Sequence, residues 1–238
     1  MTFMENKIDL SVVILGYRAG ESIKEFALKT KEIVRKLTLN YEIVLVGNYI
    51  ENSDDKTKEI IEMFVADKPD FKSICKPKKG MMGWDMKEGL KITSGKYICV
   101  IDGDGQFPVE DIGKCYNEII KGEYDLVKTY RSRRNDGFYR KLISKVYNFI
   151  FSILFSGIKS KDVNSKPKMF TRKAYELMRL ESDDWFIDAE IMLQINKNKM
   201  RFYEFPTEFY ELSGRASFVK FKAISEFVKN LIAYKLKK

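Results

Sequence analysis

The sequence has 238 residues, 45% hydrophobic and 32% charged, which is typical of a globular protein large enough to bury a substantial core. Lysine and arginine outnumber aspartate and glutamate by 43 to 34. The resulting net charge of +9 indicates an anionic partner such as nucleotide phosphates, nucleic acid or a membrane surface. The sequence contains no histidine, which excludes catalysis by a Ser-His or Cys-His pair. Its three cysteines, Cys75, Cys99 and Cys115, are too few for a disulfide framework or a zinc site, as is typical of a protein from the reducing cytoplasm.

The sequence has no long apolar segment. No stretch approaches the roughly 18 to 20 apolar residues of a transmembrane helix, and residues 1–10 are too polar for a signal peptide. We therefore expect any membrane contact to be peripheral or to be made through a partner protein.

Strands and helices alternate along the first half of the chain. Short β-branched runs predict strands over residues 8–15, 41–46, 71–75 and 96–101, and helical spacing of apolar residues predicts helices over 21–37, 58–68, 80–92 and 111–122. This alternation predicts right-handed β-α-β units and a mostly parallel sheet in one α/β domain. In such a sheet, ligands bind at the carboxyl ends of the strands.

The second half begins with a predicted strand over 124–130, a basic segment over 131–141 and an apolar helix whose most apolar part covers 146–158. At about 13 residues this apolar part is too short to span a bilayer, so the helix is either buried or lies in the membrane interface. A stripe of apolar residues among lysines over 218–232 predicts a basic amphipathic helix. Such a helix fits a membrane surface, its own domain or a second subunit.

The predicted strand at 96–101 ends in a run of carboxylates and glycines. Side chains two residues apart in an extended chain point to the same side, so Asp102 and Asp104 converge while Gly103 leaves space between them. Two such carboxylates attract a hard cation, Mg²⁺ or Mn²⁺, whose remaining positions are filled by water and substrate phosphates, and Gln106 offers a third oxygen. The alternative is an ordinary polar turn, because Asp and Gly are common turn residues.

Several motifs between residues 11 and 215 resemble the family 2 inverting glycosyltransferases, especially the branch that makes dolichol- or polyprenyl-phosphate sugars. In that branch a strand ends in Asp-x-Asp-x-Gln-x-Pro, matched here by Asp102, Asp104, Gln106 and Pro108. Further matches, in the right order, are SVVILGY at 11–17, SDDKT at 53–57 and GWDMKEGLKITSGKYICVID at 83–102. The resemblance implies a nucleotide-sugar-binding fold of the GT-A type, with a mostly parallel central sheet and helices on both faces.

The resemblance also implies which residues bind the donor and the metal ion. The metal, Mg²⁺ or Mn²⁺, is assigned to Asp102, Asp104 and Gln106. The donor is assigned to Leu15, Tyr17, Asn48, Ser53, Asp55, Asp102, Gly103, Asp104 and Arg215. Two departures from the family pattern bear on which donor is bound: Gly47 and Asn48 replace an Asp-Asp or Asp-Asn pair that touches the nucleoside, and the first strand reads Leu15-Gly16-Tyr17 in place of Pro-x-Tyr.

Basic residues after the predicted strand at 124–130 match positions that hold the acceptor phosphate in this branch. The matches are Arg131, Arg140 and Ser144; Arg140 and Ser144 share a helix face, and arginine binds phosphate bidentately. The alternative is a solvated basic surface. Two carboxylates, Asp162 and Asp188, match family positions that orient the acceptor or act as a catalytic base. A helix N-cap is the alternative interpretation of Asp188.

Together, these features predict a metal-dependent inverting enzyme that transfers a sugar from a nucleotide-sugar donor to a polyprenyl phosphate, dolichyl or undecaprenyl, at the cytoplasmic face of a membrane. The alternative is a family 2 enzyme that extends a cell-surface glycan, such as capsule or lipopolysaccharide, at a sugar hydroxyl. Transfer to a hydroxyl requires a catalytic general base. Nucleic acid is not the expected partner, because no nucleic-acid-binding motif is present and the carboxylates would repel its backbone.

The predicted organisation is a glycosyltransferase domain over 1–215, which includes an acceptor-binding and membrane-facing segment at 131–160, and a basic amphipathic helix over 216–238. The apolar stripe of this helix also fits a homodimer or a membrane partner protein.

Overall fold

The computed structural model describes residues 7–134, 138–155, 157–211, 229–231 and 234, and for residues 134 and 138–143 it describes the backbone alone. The strands are β1 (Leu10–Leu15), β2 (Tyr41–Val46), β3 (Phe71–Ile74), β4 (Tyr97–Asp102), β5 (Leu126–Arg134), β6 (Lys168–Thr171) and β7 (Phe202–Phe209). The helices are α1 (Ser22–Arg35), α2 (Thr57–Val65), α3 (Met82–Lys91), α4 (Asp111–Ile119), α5 (Phe138–Leu154), α6 (Arg172–Leu177) and α7 (Ile187–Lys197).

All of these strands belong to one sheet with the order β3-β2-β1-β4-β6-β5-β7. Neighbours run parallel from β3 to β4 and again between β5 and β7. Strand β6 is antiparallel to both β4 and β5, so it alone reverses direction among the described strands. The sheet is therefore mostly parallel, as predicted, and the carboxyl ends of β1, β2 and β4 meet at one end of it, where ligands bind in such folds.

Helices cover both faces of the sheet. On β1, Val12 and Ile14 belong to a core shared with α1, α2 and α4, whereas Val13 and Leu15 belong to a second core shared with α3, α5, α6 and α7. Because both faces are covered, every residue of β1 and β2 is buried. This arrangement confirms the predicted α/β fold with helices on both faces.

The second half of the chain departs from the predicted elements. Strand β5 continues into the basic segment and ends at Arg134. Helix α5 begins within the same segment, at Phe138, and ends at Leu154, before the predicted apolar part ends at residue 158. Strands β6 and β7 and helices α6 and α7 are not predicted by the hydrophobic pattern. Strand β6 has only four residues and buries Lys168, while β7 alternates buried with more exposed residues and contains Pro206, which weakens its strand signal.

The described residues of the C-terminal stretch lie against the domain. Leu231 is fully buried in the core shared by α5 and α7. The ring of Tyr234 lies 5.9 Å from the ring of Phe186 and 6.3 Å from that of Phe155. These contacts favour packing of this stretch on its own domain; the rest of the predicted tail helix lies outside the described residues. Within the described ranges, no helix combines the length and apolarity required to cross a bilayer.

Candidate active site

The first part of the site lies where β1 and β4 end side by side. Leu15 is paired with Asp102 in the parallel register, and the backbone N–H of Gly103 donates to the carbonyl oxygen of Leu15 at 2.9 Å. The chain therefore leaves the sheet at Asp102 in a fixed direction, with two donor-binding residues predicted from the sequence, Leu15 and Gly103, in direct contact.

Two positions of the turn after β4 favour glycine, each for a different structural reason. A Cβ atom on Gly103 would lie 2.7 Å from Cδ1 of Ile23 and 2.8 Å from Cγ2 of Ile14, so a larger residue would push the turn away from the sheet. Gly105 has a φ of +75°, which an L side chain rarely adopts. The turn is closed by the Gln106 N–H, which donates to Oδ1 of Asp104 at 3.0 Å. Asp102 and Asp104, which are separated by Gly103, thus lie on a turn that packs against β1.

Gln106 fastens this turn to the end of β7. Its side-chain Nε2 donates to the carbonyl oxygen of Tyr210 at 3.0 Å, and the N–H of Tyr210 donates to the carbonyl oxygen of Gln106 at 2.9 Å. The structure therefore gives Gln106 a positioning role through its amide nitrogen, so a metal would have to bind its amide oxygen, Oε1.

The turn formed by residues 102–106, called the acidic turn below, suits a divalent cation that is shared with a substrate. The side chain of Asp102 is 27% exposed and Asp104 is half-buried. Among the residues that the structure describes, no group of three or more Cys, Asp or Glu is arranged to hold a metal ion. Two carboxylates alone fit Mg²⁺ or Mn²⁺ only when water and phosphate oxygens complete the shell, which is the common arrangement for these ions with nucleotides. The residues present therefore fit the implied metal.

A second cluster lies beyond the ends of β1 and β2. Asn48, which is buried, donates from Nδ2 to Oδ1 of Asp85 at 2.9 Å, and its Oδ1 accepts from the N–H of Lys76 at 2.9 Å. Lys78 pairs with the other oxygen of Asp85, and its ammonium group lies 4.2 Å from the ring centre of Tyr17. Burial raises the pKa of Asp85, and the hydrogen bonds from Lys78 and Asn48 partly offset this rise.

This cluster joins two residues predicted from the sequence, Tyr17 and Asn48, through two that were missed. Asp85 and Lys78 carry weak sequence signals, because a single carboxylate in a helix and a lysine in a basic loop are both common. Gly47, before Asn48, lies close to neighbouring side chains. A Cβ atom there would lie 2.7 Å from Cδ1 of Ile61 and 3.0 Å from Sγ of Cys75, so the acidic residue found here in the family would require these side chains to shift.

The segment 53–57 has a mainly local role in the structure. Asp55 accepts a hydrogen bond from the N–H of Thr57 at 3.0 Å, which fixes the start of α2, and the hydroxyl of Thr57 accepts from the N–H of Gly20 at 2.9 Å. Asp55 is half-buried and Ser53 is exposed. The two residues lie in the loop between β2 and α2, and the hydrogen bond between Gly20 and Thr57 connects the end of this loop to the segment that follows β1.

The third part of the site is a buried set of charges around Asp188. Its Oδ2 lies 3.0 Å from Nζ of Lys166 and its Oδ1 lies 2.6 Å from Nζ of Lys168, and all three side chains are at most 2% exposed. Lys166 also reaches Oδ2 of Asp102 at 3.4 Å, so it links this set to the acidic turn. Sequence reasoning missed both lysines, because SKPK has no regular pattern and lysine is normally a surface residue.

The charges of this set are tuned by their neighbours. Burial alone would raise the pKa of Asp188, but the two ammonium groups lower it. Burial lowers the pKa of Lys168 to about 8, although Asp188 opposes this change. Asp188 therefore stays ionised, and both of its oxygens are engaged.

The N-cap interpretation of Asp188 is wrong. The N-cap of α7 is Phe186, and Asp188 lies inside the first turn, where its negative charge also suits the helix dipole. Glu190, in the same turn, accepts hydrogen bonds from the backbone N–H groups of Glu181 and Ser182 at 3.0 to 3.1 Å, and so shapes the preceding loop.

Arg131 and Asp162, predicted for two different roles, form one ion pair. Nε of Arg131 lies 2.6 Å from Oδ2 of Asp162 and Nη2 lies 2.8 Å from Oδ1, while the Arg131 backbone N–H also donates to Oδ2 at 3.3 Å. The two side chains are 10% and 7% exposed. Burial would raise the pKa of Asp162, but the guanidinium group holds it well below its usual range. The carboxylate is thus a fixed anion that orients Arg131.

Helix α5 carries the remaining predicted acceptor residues. Arg140 and Ser144 lie one turn apart on its backbone, Ser144 is half-buried, and the side chain of Arg140 lies outside the description. Farther along, Val146, Phe149 and Ile153 are 46%, 64% and 61% exposed and form an apolar stripe on this helix. Arg215 lies outside the described residues.

Known structures with similar folds bind nucleotides. The chain aligns with glucosyl-3-phosphoglycerate synthase from Mycobacterium tuberculosis in complex with uridine diphosphate, with a TM-score of 0.70, 12% identity, and coverage of 100% of this chain and 84% of that one. The structure of the same enzyme with Mn²⁺, uridine diphosphate and phosphoglyceric acid aligns with a TM-score of 0.71 and 12% identity, covering 97% of this chain and 78% of that one. The structure with Mg²⁺ and uridine diphosphate aligns with a TM-score of 0.67 and 12% identity, covering 97% of this chain and 79% of that one. At such low identity the likeness shows the GT-A fold alone.

The sequence itself identifies the family. The profile of Glycosyl transferase family 2 matches residues 11–179, which is most of the chain and runs from β1 through the acidic turn and the buried lysines to the end of α6. The chain is therefore a glycosyltransferase that belongs to Glycosyl transferase family 2.

Proposed function

We propose that this enzyme transfers a sugar from a nucleotide-sugar donor to a polyprenyl phosphate, with inversion and with the help of Mg²⁺ or Mn²⁺. The observation that carries the proposal is the state of Asp188. Both of its oxygens are held by buried lysines at 3.0 and 2.6 Å, and its pKa is lowered. An ionised, enclosed carboxylate of low basicity is a poor general base, because a base works best with a pKa near the working pH and within reach of the proton.

The acceptor must therefore be a nucleophile that needs little deprotonation. A phosphate monoester has a second pKa near 6 and is largely dianionic at pH 7, whereas a sugar hydroxyl must lose its proton during attack. The other nearby carboxylates are also engaged: Asp162 holds Arg131, and Glu190 accepts backbone hydrogen bonds. This pattern supports a phosphate as the attacking group.

The proposed reaction forms a bond between an acceptor phosphate oxygen and the anomeric carbon of the sugar, while the bond from that carbon to the nucleoside diphosphate breaks. A divalent cation, when bound, supplies positive charge for the departing diphosphate. Asp102 and Asp104 would hold this ion, with Gln106 securing their turn against β7. Asn48, Asp85 and Lys78 would form the wall beside the nucleoside next to Tyr17.

Two features support a lipid as the carrier of the phosphate. Helix α5 presents Val146, Phe149 and Ile153 to solvent, and exposed apolar stripes of this kind are typical of interfacial helices. Arg140 and Ser144 precede this stripe on the same helix. We propose that the phosphate is bound at the start of α5, with Arg131 nearby on β5, and that the prenyl chain and the membrane meet the stripe. This proposal implies peripheral attachment at the cytoplasmic face, alone or through a membrane partner.

Two other acceptors are rivals. The first is the sugar hydroxyl of a growing glycan, which would require Asp188 or Asp162 to act as a base. The second is a small soluble phosphorylated acid, because similar structures were solved with phosphoglyceric acid. Neither would use the apolar stripe of α5.

The test is a transfer assay with radiolabelled UDP-, GDP- and dTDP-sugars and Mn²⁺ or Mg²⁺. A short polyprenyl phosphate is compared with the corresponding polyprenol, with phosphoglycerate and with a simple saccharide. We expect a lipid-phosphate sugar and no product from polyprenol. Product from the saccharide or from phosphoglycerate, with none from the lipid phosphate, would select the corresponding rival.

A further inference from the structure

The ammonium group of a buried lysine lies beside the acidic turn. Nζ of Lys166 lies 3.4 Å from Oδ2 of Asp102 and 3.0 Å from Oδ2 of Asp188, and the Lys166 side chain is 2% exposed. A lysine shared by a buried carboxylate and a partly exposed one fixes the orientation of both. It also places a positive charge against one of the carboxylates assigned to the metal.

This charge opposes a divalent cation at the same carboxylate. Two like charges a few ångströms apart near a protein surface repel each other strongly enough to weaken binding by about tenfold or more. The lysine is anchored from the other side by Asp188, so it does not simply swing into solvent. A divalent ion must then bind beside a fixed ammonium group, and extra negative charge, such as that of a diphosphate, is needed to outweigh the repulsion.

We propose that Lys166 is a positioning residue that holds Asp102 and weakens binding of the free divalent cation, so that cation and nucleoside diphosphate bind as a unit. This inference rests on the proposed metal role of Asp102 and Asp104. It assigns to the chain a binding order: little metal without donor, and release of the metal together with the diphosphate product. The cation therefore does not stay behind as a resident cofactor.

Lys168 provides the matched control. Like Lys166 it is fully buried and pairs with Asp188, at 2.6 Å, but its other described partner is the carbonyl oxygen of Ser165 rather than Asp102. Replacing either lysine by Gln removes one buried positive charge from the same cluster. Only the replacement of Lys166 removes a contact with the acidic turn.

The experiment measures Mn²⁺ binding without nucleotide by the electron paramagnetic resonance signal of free Mn²⁺. We expect Lys166→Gln to bind Mn²⁺ about tenfold more tightly than the unaltered protein, because a local repulsion is removed. Lys168→Gln should stay within about twofold, because the described partners of Lys168, Asp188 and the carbonyl oxygen of Ser165, do not include the acidic turn. A gain of affinity is not expected from a damaged fold, so this readout separates positioning from a merely structural role.

Equal or weaker Mn²⁺ binding by Lys166→Gln would overturn the inference, and so would an equal gain in Lys168→Gln. Circular dichroism establishes that each variant is folded, and Lys166→Met, which suits an enclosed site, replaces the Gln variant if that one does not fold. Adding Asp104→Ala to Lys166→Gln should abolish the gain. If the double variant still binds Mn²⁺ tightly, the ion lies elsewhere, and the proposed metal site itself fails.

Discussion

The acidic turn after β4 and the buried charges between residues 162 and 188 contain the same chemical group in opposite surroundings. At the turn, the Asp102 side chain is 27% exposed. In the buried set, Asp162 and Asp188 are 7% and 1% exposed, and arginine or lysine groups of the chain itself engage both of their oxygens. The turn leaves part of the Asp102 side chain open to solvent, and the one described cation beside it is Lys166, at 3.4 Å. In the buried set, cations of the protein already fill the places that a substrate proton or metal would take.

This difference shows that the position of an aspartate in a motif does not determine its chemistry. Asp188 and Asp162 each have a lowered pKa because a neighbouring cation outweighs the effect of burial. Such carboxylates stabilise and orient basic side chains, provided that the pair stays complete. The comparison predicts that mutations of the two buried aspartates, Asp162 and Asp188, act mainly on stability, whereas mutations in the acidic turn act on catalysis.

The largest expected effect comes from Asp162→Asn. Loss of this charge leaves Arg131 nearly buried without its anion, which should lower the free energy of unfolding by about 3 kcal/mol at pH 7, as measured by urea denaturation. The matched control is Glu208→Gln, which breaks the exposed pair between Glu208 on β7 and Arg133, two residues beyond Arg131 on β5, and should cost less than about 1 kcal/mol.

The same pair also predicts a pH dependence. Because the folded pKa of Asp162 is lowered, its contribution is complete above the unfolded value of about 3.9 and is lost as the pH falls below it. Asp162→Asn should therefore lose less stability than the unaltered protein between pH 5 and pH 3, as measured by urea midpoints. Parallel losses in the two proteins would contradict the ion pair.

The next effect should come from Asp104→Ala in the acidic turn. Loss of one carboxylate should reduce sugar transfer by about a hundredfold, because charge on the leaving diphosphate is no longer stabilised. Stability should change little, since Asp104 is half-buried in a turn. The control is Asp54→Ala, which removes a carboxylate that is 89% exposed. Transfer that persists unchanged in Asp104→Ala, or in excess chelator, would contradict the metal site.

The smallest effect concerns the apolar stripe of α5. The double variant Phe149→Ser/Ile153→Ser should bind vesicles that contain anionic phospholipid and polyprenyl phosphate roughly tenfold more weakly, as measured by sedimentation, because apolar surface is lost. Leu39→Ser is the control, since Leu39 is 85% exposed outside α5. Equal vesicle binding by both variants would contradict a role of the apolar stripe in membrane binding.

Much of the first half of the chain is predictable from the sequence because its signals are local. Strands β1, β2 and β4 are short runs of apolar residues that both faces of the sheet bury, and the turn at Asp102 and Asp104 follows directly from one of them. The alternation of strands with helices was enough to place this turn at the carboxyl end of a parallel sheet.

The second half of the chain is less predictable because its key contacts are distant in sequence. Arg131 was assigned to the acceptor phosphate and Asp162 to orienting the acceptor or acting as a base, and only the fold shows that they contact each other. Lys166 and Lys168 lie in and beside a four-residue strand that reverses direction, with no periodic pattern to reveal that they are buried. The sequence shows that these charged residues are present, but it does not show which of them form pairs in the folded protein.

The most direct test of the proposed mechanism distinguishes a phosphate from a hydroxyl as the attacking group. Initial rates of sugar transfer to polyprenyl phosphate are measured for the unaltered protein and for Asp188→Asn, with the fraction of folded enzyme determined for each. We expect that the folded Asp188→Asn enzyme keeps measurable transfer, because no proton passes to Asp188. Near-complete loss of transfer in a fully folded Asp188→Asn enzyme, together with transfer to saccharide hydroxyls by the unaltered protein, would contradict it.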